Sequence, residues 1–433
     1  MSVRETVERE IESVRAHARD AIDATDEEIE RGLQIHAETV ACDLFGFLPS
    51  TRSTAGRELL AEMIEVGSTT NELIPVGEVI DKTSPAYDPT CAAQFSTAIE
   101  STGLDCTVLT AGSEKNLHHS INRISACIHL FDAYDGPIRK VTSVAELDDA
   151  VAADELAVFF STNCPPAQGG LRDGMDAHWW IGLLYRLGVR IMHLTYNRRN
   201  WVGDGCLEPA DGGLSIHGRE VVRQLNRLGI AVDTAHSGRQ TTLDAAACSE
   251  APIMATHTTC TGVYEFPRGK SDAELQAIAD GGGLIGICAI PHFLARKGNL
   301  ADLLDHVEYA VELVGPEHVA IGTDNGFRPA STDDQPSVPS RPSPSPYGPD
   351  EWFGAWDYAP ERADIPAANR KSLAWVNWPL FTVGLVARGF DAATIERILG
   401  GNFRRVMREV EETKDAEAFA LHRVEPRYNG RSP

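Results

Sequence analysis

Two histidines, His236 and His257, each follow a short apolar run of the chain. The first run, 229–232, leads through Asp233 to His236, and the second, 252–256, ends directly before His257. A helix-length segment lies between them, which predicts a strand–helix–strand unit of a parallel sheet. Neutral imidazole is a common zinc ligand, so two histidines at matched strand ends favour a metal site. Two polar residues that each bond a neighbouring carbonyl are the alternative interpretation.

The rest of the chain alternates apolar runs with helix-length segments, which is typical of an α/β fold with a parallel sheet. We predict a TIM-like (β/α)8 barrel at 39–412, in which the strand ends form the functional face. A charged helical segment at 1–38 precedes this barrel, and a tail at 413–433 follows it. The segment 67–78 is predicted to be a loop. Further buried strands are predicted at 39–47, 156–160, 189–194, 283–287 and 319–324.

A proline-rich stretch follows the last predicted strand, within an excursion of about 325–375. A long loop that leaves the functional face is usually functional or disordered. Because this stretch also carries Trp352 and Trp356, we predict a lid over the barrel mouth with a tryptophan in the pocket wall. Deletion of Ser337 to Pro346 should then change substrate affinity more than stability. A disordered surface loop is the alternative.

Composition excludes several classes of function. The chain has 433 residues and a formal charge of -24, which argues against nucleic-acid or anionic-membrane surfaces. Its nine cysteines are scattered through apolar runs, as expected for reduced thiols in a cytoplasmic protein. No apolar run approaches transmembrane length, and the first residues have no signal-peptide pattern. We therefore expect a cytoplasmic protein without a nucleic-acid or membrane partner.

Five strings of the chain together resemble the membrane dipeptidase (renal dipeptidase) family of metal-dependent (β/α)8 hydrolases. They stand in the family's order and spacing, in a form similar to a divergent bacterial branch, and the resemblance covers roughly 35–412. The strings are LGVRIMHLTYNRRNWVGDGC from Leu187, GIAVDTAHSG from Gly229, APIMATHTTC from Ala251, HVAIGTDNG from His318 and RGFDAATIERILGGNFRRVMREV from Arg388.

The resemblance implies roles for individual residues. His236 and His257 match two zinc-binding histidines, and Asp324 matches the aspartate that handles the proton of the attacking water. Arg268 matches the arginine that holds the substrate's carboxylate, a contact that suits a bidentate guanidinium. Tyr196 falls on the position of a substrate-polarising histidine, where a phenol can still donate to an oxyanion. The neighbouring Asn197 is a further candidate for substrate binding.

Two departures from the family pattern change the expected metal content. The family's His-x-Asp pair at the end of the first strand falls on Phe45 and Phe47, although another register would keep Asp43 as a ligand. The family's bridging glutamate falls within 159–163, which contains no carboxylate, and the nearest acids are Asp173 and Asp176. His236, His257 and Asp324 remain as ligands, so we expect one zinc ion instead of two.

Three hypotheses follow. The first is a hydrolase of dipeptides or similar small amides, with a metal-activated water and Asp324 as the proton acceptor. The second is an enzyme of the same fold with altered chemistry on an amino-acid-derived metabolite. The third is an inactive barrel that binds a small ligand. A small-molecule substrate is the expected partner, and a homodimer is possible on this reading.

Overall fold

The computed structural model describes residues 1–113, 117–165, 174–329 and 365–415. Eight parallel strands follow one another around a nearly closed barrel in the order β1-β2-β4-β5-β6-β7-β9-β10, which confirms the predicted fold. β3 pairs with β4 and β8 pairs with β7, both outside this path. The strands are β1 Cys42–Gly46, β2 Cys106–Thr110, β3 Ile138–Val141, β4 Leu156–Thr162, β5 Val189–His193, β6 Ala231–Asp233, β7 Met254–Cys260, β8 Gly269–Lys270, β9 Leu284–Ile287 and β10 Val319–Ile321.

Helices surround the barrel and connect its strands. Their apolar sides pack on the outward-facing strand residues, and together they form the largest cluster of buried side chains. The helices are α1 Val3–Ala21, α2 Asp26–Glu38, α3 Thr54–Glu65, α4 Thr70–Tyr87, α5 Pro89–Thr102, α6 Leu117–Ala133, α7 Val144–Ala152, α8 Gly174–Arg186, α9 Ile216–Leu228, α10 Arg239–Cys248, α11 Asp272–Asp280, α12 Pro291–Leu294, α13 Leu300–Val314, α14 Ala367–Ser372, α15 Trp378–Ala387, α16 Ala392–Glu396 and α17 Asn402–Glu412.

The charged segment at the start of the chain forms two helices that pack on the barrel's outer helices. Ser2 caps α1 and Thr25 caps α2, each in a capping box with the glutamate three residues on. α1 contacts α5 and α14, and α2 contacts α15. The division of the chain into segments 1–38, 39–412 and 413–433 stays a prediction.

The prediction of a loop at 67–78 is wrong, because α4 begins at Thr70 and continues to Tyr87. Gly67, Pro75 and Gly77 suggested a break in this segment. However, Thr69 and Glu72 form a capping box, in which the Thr69 backbone N–H donates to Glu72 at 2.8 Å. Packing against α5 and α6 then outweighs the cost of the two prolines inside the helix, Pro75 and Pro85.

Asp43 connects the first strand to the end of the last one. Its carboxylate accepts hydrogen bonds from the backbone N–H of Thr323 at 2.9 Å and the Thr323 hydroxyl at 2.6 Å. The Phe45 N–H at 3.2 Å and the Trp375 indole N–H at 3.0 Å also donate to it. Complete burial nevertheless raises the pKa of Asp43 to about 7. Four protein groups thus bond this carboxylate and tie the first strand to the last. The possible role of Asp43 as a metal ligand stays a prediction.

We expect the Asp43→Asn variant to lose stability in a pH-dependent way. The folded-state pKa is raised from 3.8 to about 7, so the stability that this group contributes is fully present below about pH 4. That contribution is lost as the pH rises through 7. An asparagine does not titrate, and its amide group opposes one of the donors at a cost of about 1–3 kcal/mol.

Urea unfolding of both proteins between pH 4.5 and 8 measures this difference. The free energy of unfolding of the wild-type protein, relative to Asp43→Asn, should be largest at the acidic end and shrink toward pH 8. A difference that stays constant over this range would show that Asp43 is already ionised in the folded protein at low pH. Asp88→Asn, at an exposed helix cap, is the control.

Candidate functional site

Three histidine rings lie together inside the carboxyl end of the barrel. His193 is the last residue of β5, His236 follows β6, and His257 lies within β7. All three are buried. The ring centroid of His193 is 5.3 Å from the centroids of both His236 and His257, which are themselves 4.9 Å apart. The strand order β5-β6-β7 makes these residues neighbours although 64 positions separate the first from the last.

Hydrogen bonds set which nitrogen of each ring carries a proton. His236 Nδ1 lies 2.7 Å from the side-chain oxygen of Asn197, which can only accept, so Nδ1 is the protonated nitrogen. The Thr256 hydroxyl donates to Asp233 and therefore accepts from His257 Nδ1, which is 2.9 Å away. Both Nε2 atoms consequently carry lone pairs, and they face each other at 3.0 Å. Two lone pairs that face each other at this distance repel, and a cation bound to both nitrogens would remove the repulsion.

Burial and neighbouring positive groups keep both rings neutral. Burial lowers the pKa of His236 well below its ordinary value, and Arg268 and the other histidines lower it further. The pKa of His257 is lowered in the same direction by burial, Arg268 and His193. A neutral imidazole is the form that binds metal ions. The pair is thus in the protonation state that a metal site needs.

His193 and Asp233 belong to this site, although the sequence did not single out either residue as functional. His193 Nε2 lies 2.7 Å from Asp233 Oδ2, and both side chains are fully buried. Burial raises the pKa of Asp233, but His193, Thr256 and the Ala235 N–H outweigh this effect and the net direction is down. One ligand atom each from His193, Asp233 and His257 lie within 4.8 Å of one another. The sequence did carry a signal for both residues, because each stands at the end of an apolar run.

Phe45 fills the side of the site that belongs to the first strand. Its ring stacks on His257 with centroids 3.9 Å apart and lies 5.4 Å from the ring of His193. Phe47 meets the ring of Phe45 edge to face at 5.9 Å. The first strand therefore contributes an apolar wall at the position where the resemblance implies metal ligands.

Arg268 brings a buried guanidinium next to the histidines. It donates to the backbone carbonyls of Ala235 and, at 3.1 Å, of His257. Its Nη2 atom is 3.5 Å from His236 Nε2, and the guanidinium lies over the ring of Phe293. Only 2% of the residue is exposed. A carboxylate that enters the site would meet this positive charge beside the histidine pair.

Asp324 follows the last strand and has a backbone conformation that few residues other than glycine adopt, with φ +55°. Its N–H donates to the Phe45 carbonyl at 2.7 Å, which fixes the residue against the first strand. Burial raises the pKa of its carboxyl group to about 6, while Arg268 and His193 act in the opposite direction. A carboxylate with this pKa can accept a proton near neutral pH.

The loop between β5 and α9 places Tyr196 and Asn197 over the site. The Tyr196 ring stacks on His236 with centroids 4.2 Å apart. Asn197 has a positive φ of 59°, and its side-chain oxygen accepts the hydrogen bond from His236 Nδ1. Asp204 is bonded to Arg199 and, at 2.6 Å, to the Gly212 N–H, which ties the loop into one unit. Tyr196, Asn197, Arg268 and His257 thus each contact His236. Asp324 is not in the group of close ligand atoms that His193, Asp233 and His257 form, and its expected role as a ligand stays a prediction.

Two expectations fall on parts of the chain outside the described residues. The predicted lid with Trp352 and Trp356, and the deletion of Ser337 to Pro346, lie in the segment 330–364. The side chains of Asp173 and Asp176 also lie outside the described part. At the end of β4, Asn163 accepts from the Thr110 hydroxyl at 3.0 Å and supplies no carboxylate.

The amino-acid sequence is similar to a known protein family and to several curated proteins. Residues 90–339 match the family described as "Membrane dipeptidase (Peptidase family M19)". The chain is 30% identical to "Dipeptidase verJ" of Clonostachys rogersoniana over 248 residues, which is 56% of this chain and 54% of that protein. It is 25% identical to "Dipeptidase tcpJ" of Claviceps purpurea over 277 residues, 62% of this chain and 56% of the relative. The chain thus spans about half the length of these curated relatives.

Solved structures show the same fold. An amidohydrolase from Pseudomonas aeruginosa superposes with a TM-score of 0.63 at 23% identity, over 88% of this chain and 98% of the other. A metallopeptidase from Rhodobacter sphaeroides, liganded with a phosphinate mimic of the dipeptide L-Ala-D-Ala, gives 0.55 at 18% identity, over 86% and 99%. Within the described residues, no helix is long and apolar enough to span a membrane.

Proposed function

Because this chain belongs to the membrane dipeptidase family, we propose that it is a metal-dependent hydrolase of dipeptides or similar small amides. The single observation that supports this most is the pair of Nε2 lone pairs of His236 and His257, which face each other at 3.0 Å. Two ligands bound tetrahedrally to one zinc ion at ~2.1 Å would be roughly 3.4 Å apart. The pair fits a shared metal ion after a small adjustment.

The residues present fit one metal ion better than two. His236 and His257 offer lone pairs, whereas Phe45 occupies the side of the first strand and Asn163 stands at the end of β4. A second buried dication without carboxylate ligands would be strongly unfavourable. We therefore propose a mononuclear site, for which zinc is the ion that this ligand chemistry suits. A bound zinc ion would supply Lewis acidity and would make water a stronger acid.

The chain's own residues divide the remaining work. Arg268 holds the terminal carboxylate of the substrate by charge-assisted hydrogen bonds, and this contact orients the scissile amide toward the histidines. Asp324 accepts a proton at its carboxylate, since its pKa of about 6 leaves it largely ionised at neutral pH. The Tyr196 hydroxyl donates a hydrogen bond to the oxyanion that develops on the amide carbonyl. Asn197 fixes the orientation of His236 and lies beside the substrate.

Metal analysis combined with a dipeptide screen tests the proposal. The purified protein should contain close to one zinc per chain, should lose hydrolysis after chelation and should recover it when zinc is added back. Zinc without cleavage of any dipeptide would favour altered chemistry on an amino-acid-derived metabolite. Absence of both zinc and cleavage would favour a barrel that binds a small ligand without turnover. A homodimer and a cytoplasmic location belong to the same proposal.

We expect the Asn197→Ala variant to bind zinc about 10- to 100-fold more weakly than the wild type. Groups that accept the second N–H of a metal-binding histidine fix its tautomer and orientation, and their loss typically has this effect. The contact at issue is the 2.7 Å bond from His236 Nδ1 to Asn197. Competition with a chromogenic chelator measures the zinc affinity.

Asn200→Ala is the matched control, because Asn200 lies in the same loop and bonds only loop and strand backbone among its described partners. Equal affinities of Asn197→Ala and the wild type would mean that His236 is oriented by its packing alone.

A further inference from the structure

His193 and Asp233 form the least explained part of the site. His193 is fully buried, and neither of its ring nitrogens makes a hydrogen bond of normal geometry with a described residue. The short contact of 2.7 Å joins His193 Nε2 to Asp233 Oδ2, but the ring meets the carboxylate at an unfavourable angle. Burying a polar ring without good hydrogen bonds costs roughly 1–3 kcal/mol. Such a group calls for a partner that the protein itself does not supply.

We infer that His193 is a ligand of the metal ion, and that together with Asp233 it replaces the ligands missing from the first strand. This inference rests on the proposed function only in requiring that the protein holds a metal. The resemblance implies His236 and His257 as zinc ligands and Asp324 as the residue that handles the proton, and it assigns nothing to His193 or Asp233. In this chain β5 and β6 would supply the metal ligands that β1 supplies in other members of the family.

The distances suit one metal ion. Ligand atoms of His193, Asp233 and His257 lie within 4.8 Å of one another, and His236 Nε2 is 3.0 Å from His257 Nε2. Imidazole rings that converge on one zinc ion with bonds of ~2.1 Å have centroids roughly 5 Å apart. The three centroid distances, 5.3, 5.3 and 4.9 Å, agree with that value. His257 is the residue common to both sets of contacts.

Phe45 explains why the ligands come from this side of the barrel. Its ring covers the face of His257 at 3.9 Å and also lies 5.4 Å from His193. The first strand therefore presents an aromatic ring, and no ligand atom, to these histidines. His193 and Asp233 end the neighbouring strands β5 and β6, which lie next to β7 with His257.

The local charges permit a dication. Asp233 and Asp324 bring two carboxylates to the site, and Arg268 brings one guanidinium. Lys270 is the next nearby cation, but it is paired with Glu274 at 3.2 Å and bonded to the Ser237 carbonyl at 2.7 Å. The ionised site thus has an excess of one negative charge, which partly balances the metal ion.

Cobalt binding to the metal-free protein tests the inference without reference to turnover. Full-length protein is stripped with a chelator, dialysed and titrated with cobalt(II) chloride, and the visible absorption of the bound ion is followed. The wild type should bind one cobalt ion per chain. His193→Ala should weaken this binding at least about 100-fold, and Asp233→Asn about 10-fold or more. His318→Ala should leave it unchanged, since His318 bonds the Gly283 carbonyl at the opposite end of the barrel.

The decisive variant is His193→Cys. A thiolate that binds cobalt adds an intense near-ultraviolet absorption, and a residue that merely packs near the site does not. We expect this band in His193→Cys, and we expect neither the wild type nor His318→Cys to show it. The wild type also controls for the protein's own nine cysteines.

Circular dichroism establishes whether each variant is folded. If His193→Ala does not fold, the inference is decided by the absorption of His193→Cys. Wild-type cobalt binding together with an unchanged His193→Ala affinity, or with no new band in His193→Cys, overturns the inference and leaves the proposed function standing. A wild-type protein that binds neither cobalt nor zinc overturns both.

Discussion

Replacement of Asp324 by asparagine should lower kcat for dipeptide hydrolysis by about 10²–10⁴-fold, the range typical of a lost general base. An amide cannot accept the proton that the carboxylate accepts, while the two side chains have nearly the same shape. KM should change little, because Arg268 still holds the substrate. The zinc content should also stay close to that of the wild type if His193 and Asp233 are the ligands that accompany the histidine pair.

The pH dependence of kcat gives a second measurement of the same role. Asp324 acts as a base only when it is ionised, so the activity of the wild type should rise as the pH passes through about 6. This rise should be absent from the residual activity of Asp324→Asn. Glu208→Gln is the control, since Glu208 lies in the loop at the same mouth and accepts from the Arg199 N–H. A kcat within a factor of three of the wild type would remove Asp324 from the mechanism.

Replacement of Arg268 by leucine should lower kcat/KM for dipeptides with a free carboxylate by about 10²–10³-fold. Loss of one partner of a buried charge pair costs about 2–5 kcal/mol, and 1.4 kcal/mol corresponds to a factor of ten. Arg268 is buried beside the histidines, where its contact with a carboxylate would be only weakly screened.

Dipeptide amides, which lack the terminal carboxylate, separate this role from a general loss of structure. The wild type should cleave them poorly, and Arg268→Leu should affect them far less than the free dipeptides. Equal losses for both substrate types would assign Arg268 to the support of the backbone at Ala235 and His257. Arg239→Leu, at the exposed start of α10, is the control for the loss of a positive charge on this face.

The barrel could be predicted from the sequence because strand and helix periods are local signals. His236 and His257 were recognised for the same reason, since each follows an apolar run within one strand–helix–strand unit. His193 and Asp233 were missed because a single polar residue at the end of a buried run is more often a bonded core residue than a ligand. Their proximity depends on which strands are neighbours, and a sequence reading leaves that arrangement open.

The first strand shows the limit of such reading most clearly. Asp43 and Phe45 are two residues apart and lie on the same side of a regular strand, so strand alternation alone does not decide which of them meets the histidines. The position of the Asp43 carboxylate depends on contacts with Thr323 and Trp375, which are 280 and 332 positions away in the sequence. The helix α4 was not predicted for a different reason. Its glycine and prolines suggested a loop, although Thr69 and Glu72 form a capping box that starts the helix.

The join between β1 and β10 has a consequence for how this protein can evolve. These strands end the chain of paired strands, and the bonds of Asp43 together with the N–H of Asp324 to the Phe45 carbonyl hold them together. Asp324, the residue proposed to accept the proton, therefore also takes part through its backbone N–H in joining the two terminal strands of the barrel. A substitution that weakens this junction should displace the Asp324 carboxylate, because the junction holds the backbone of that residue. Selection for stability and selection for catalytic activity would therefore act on the same few residues at this junction.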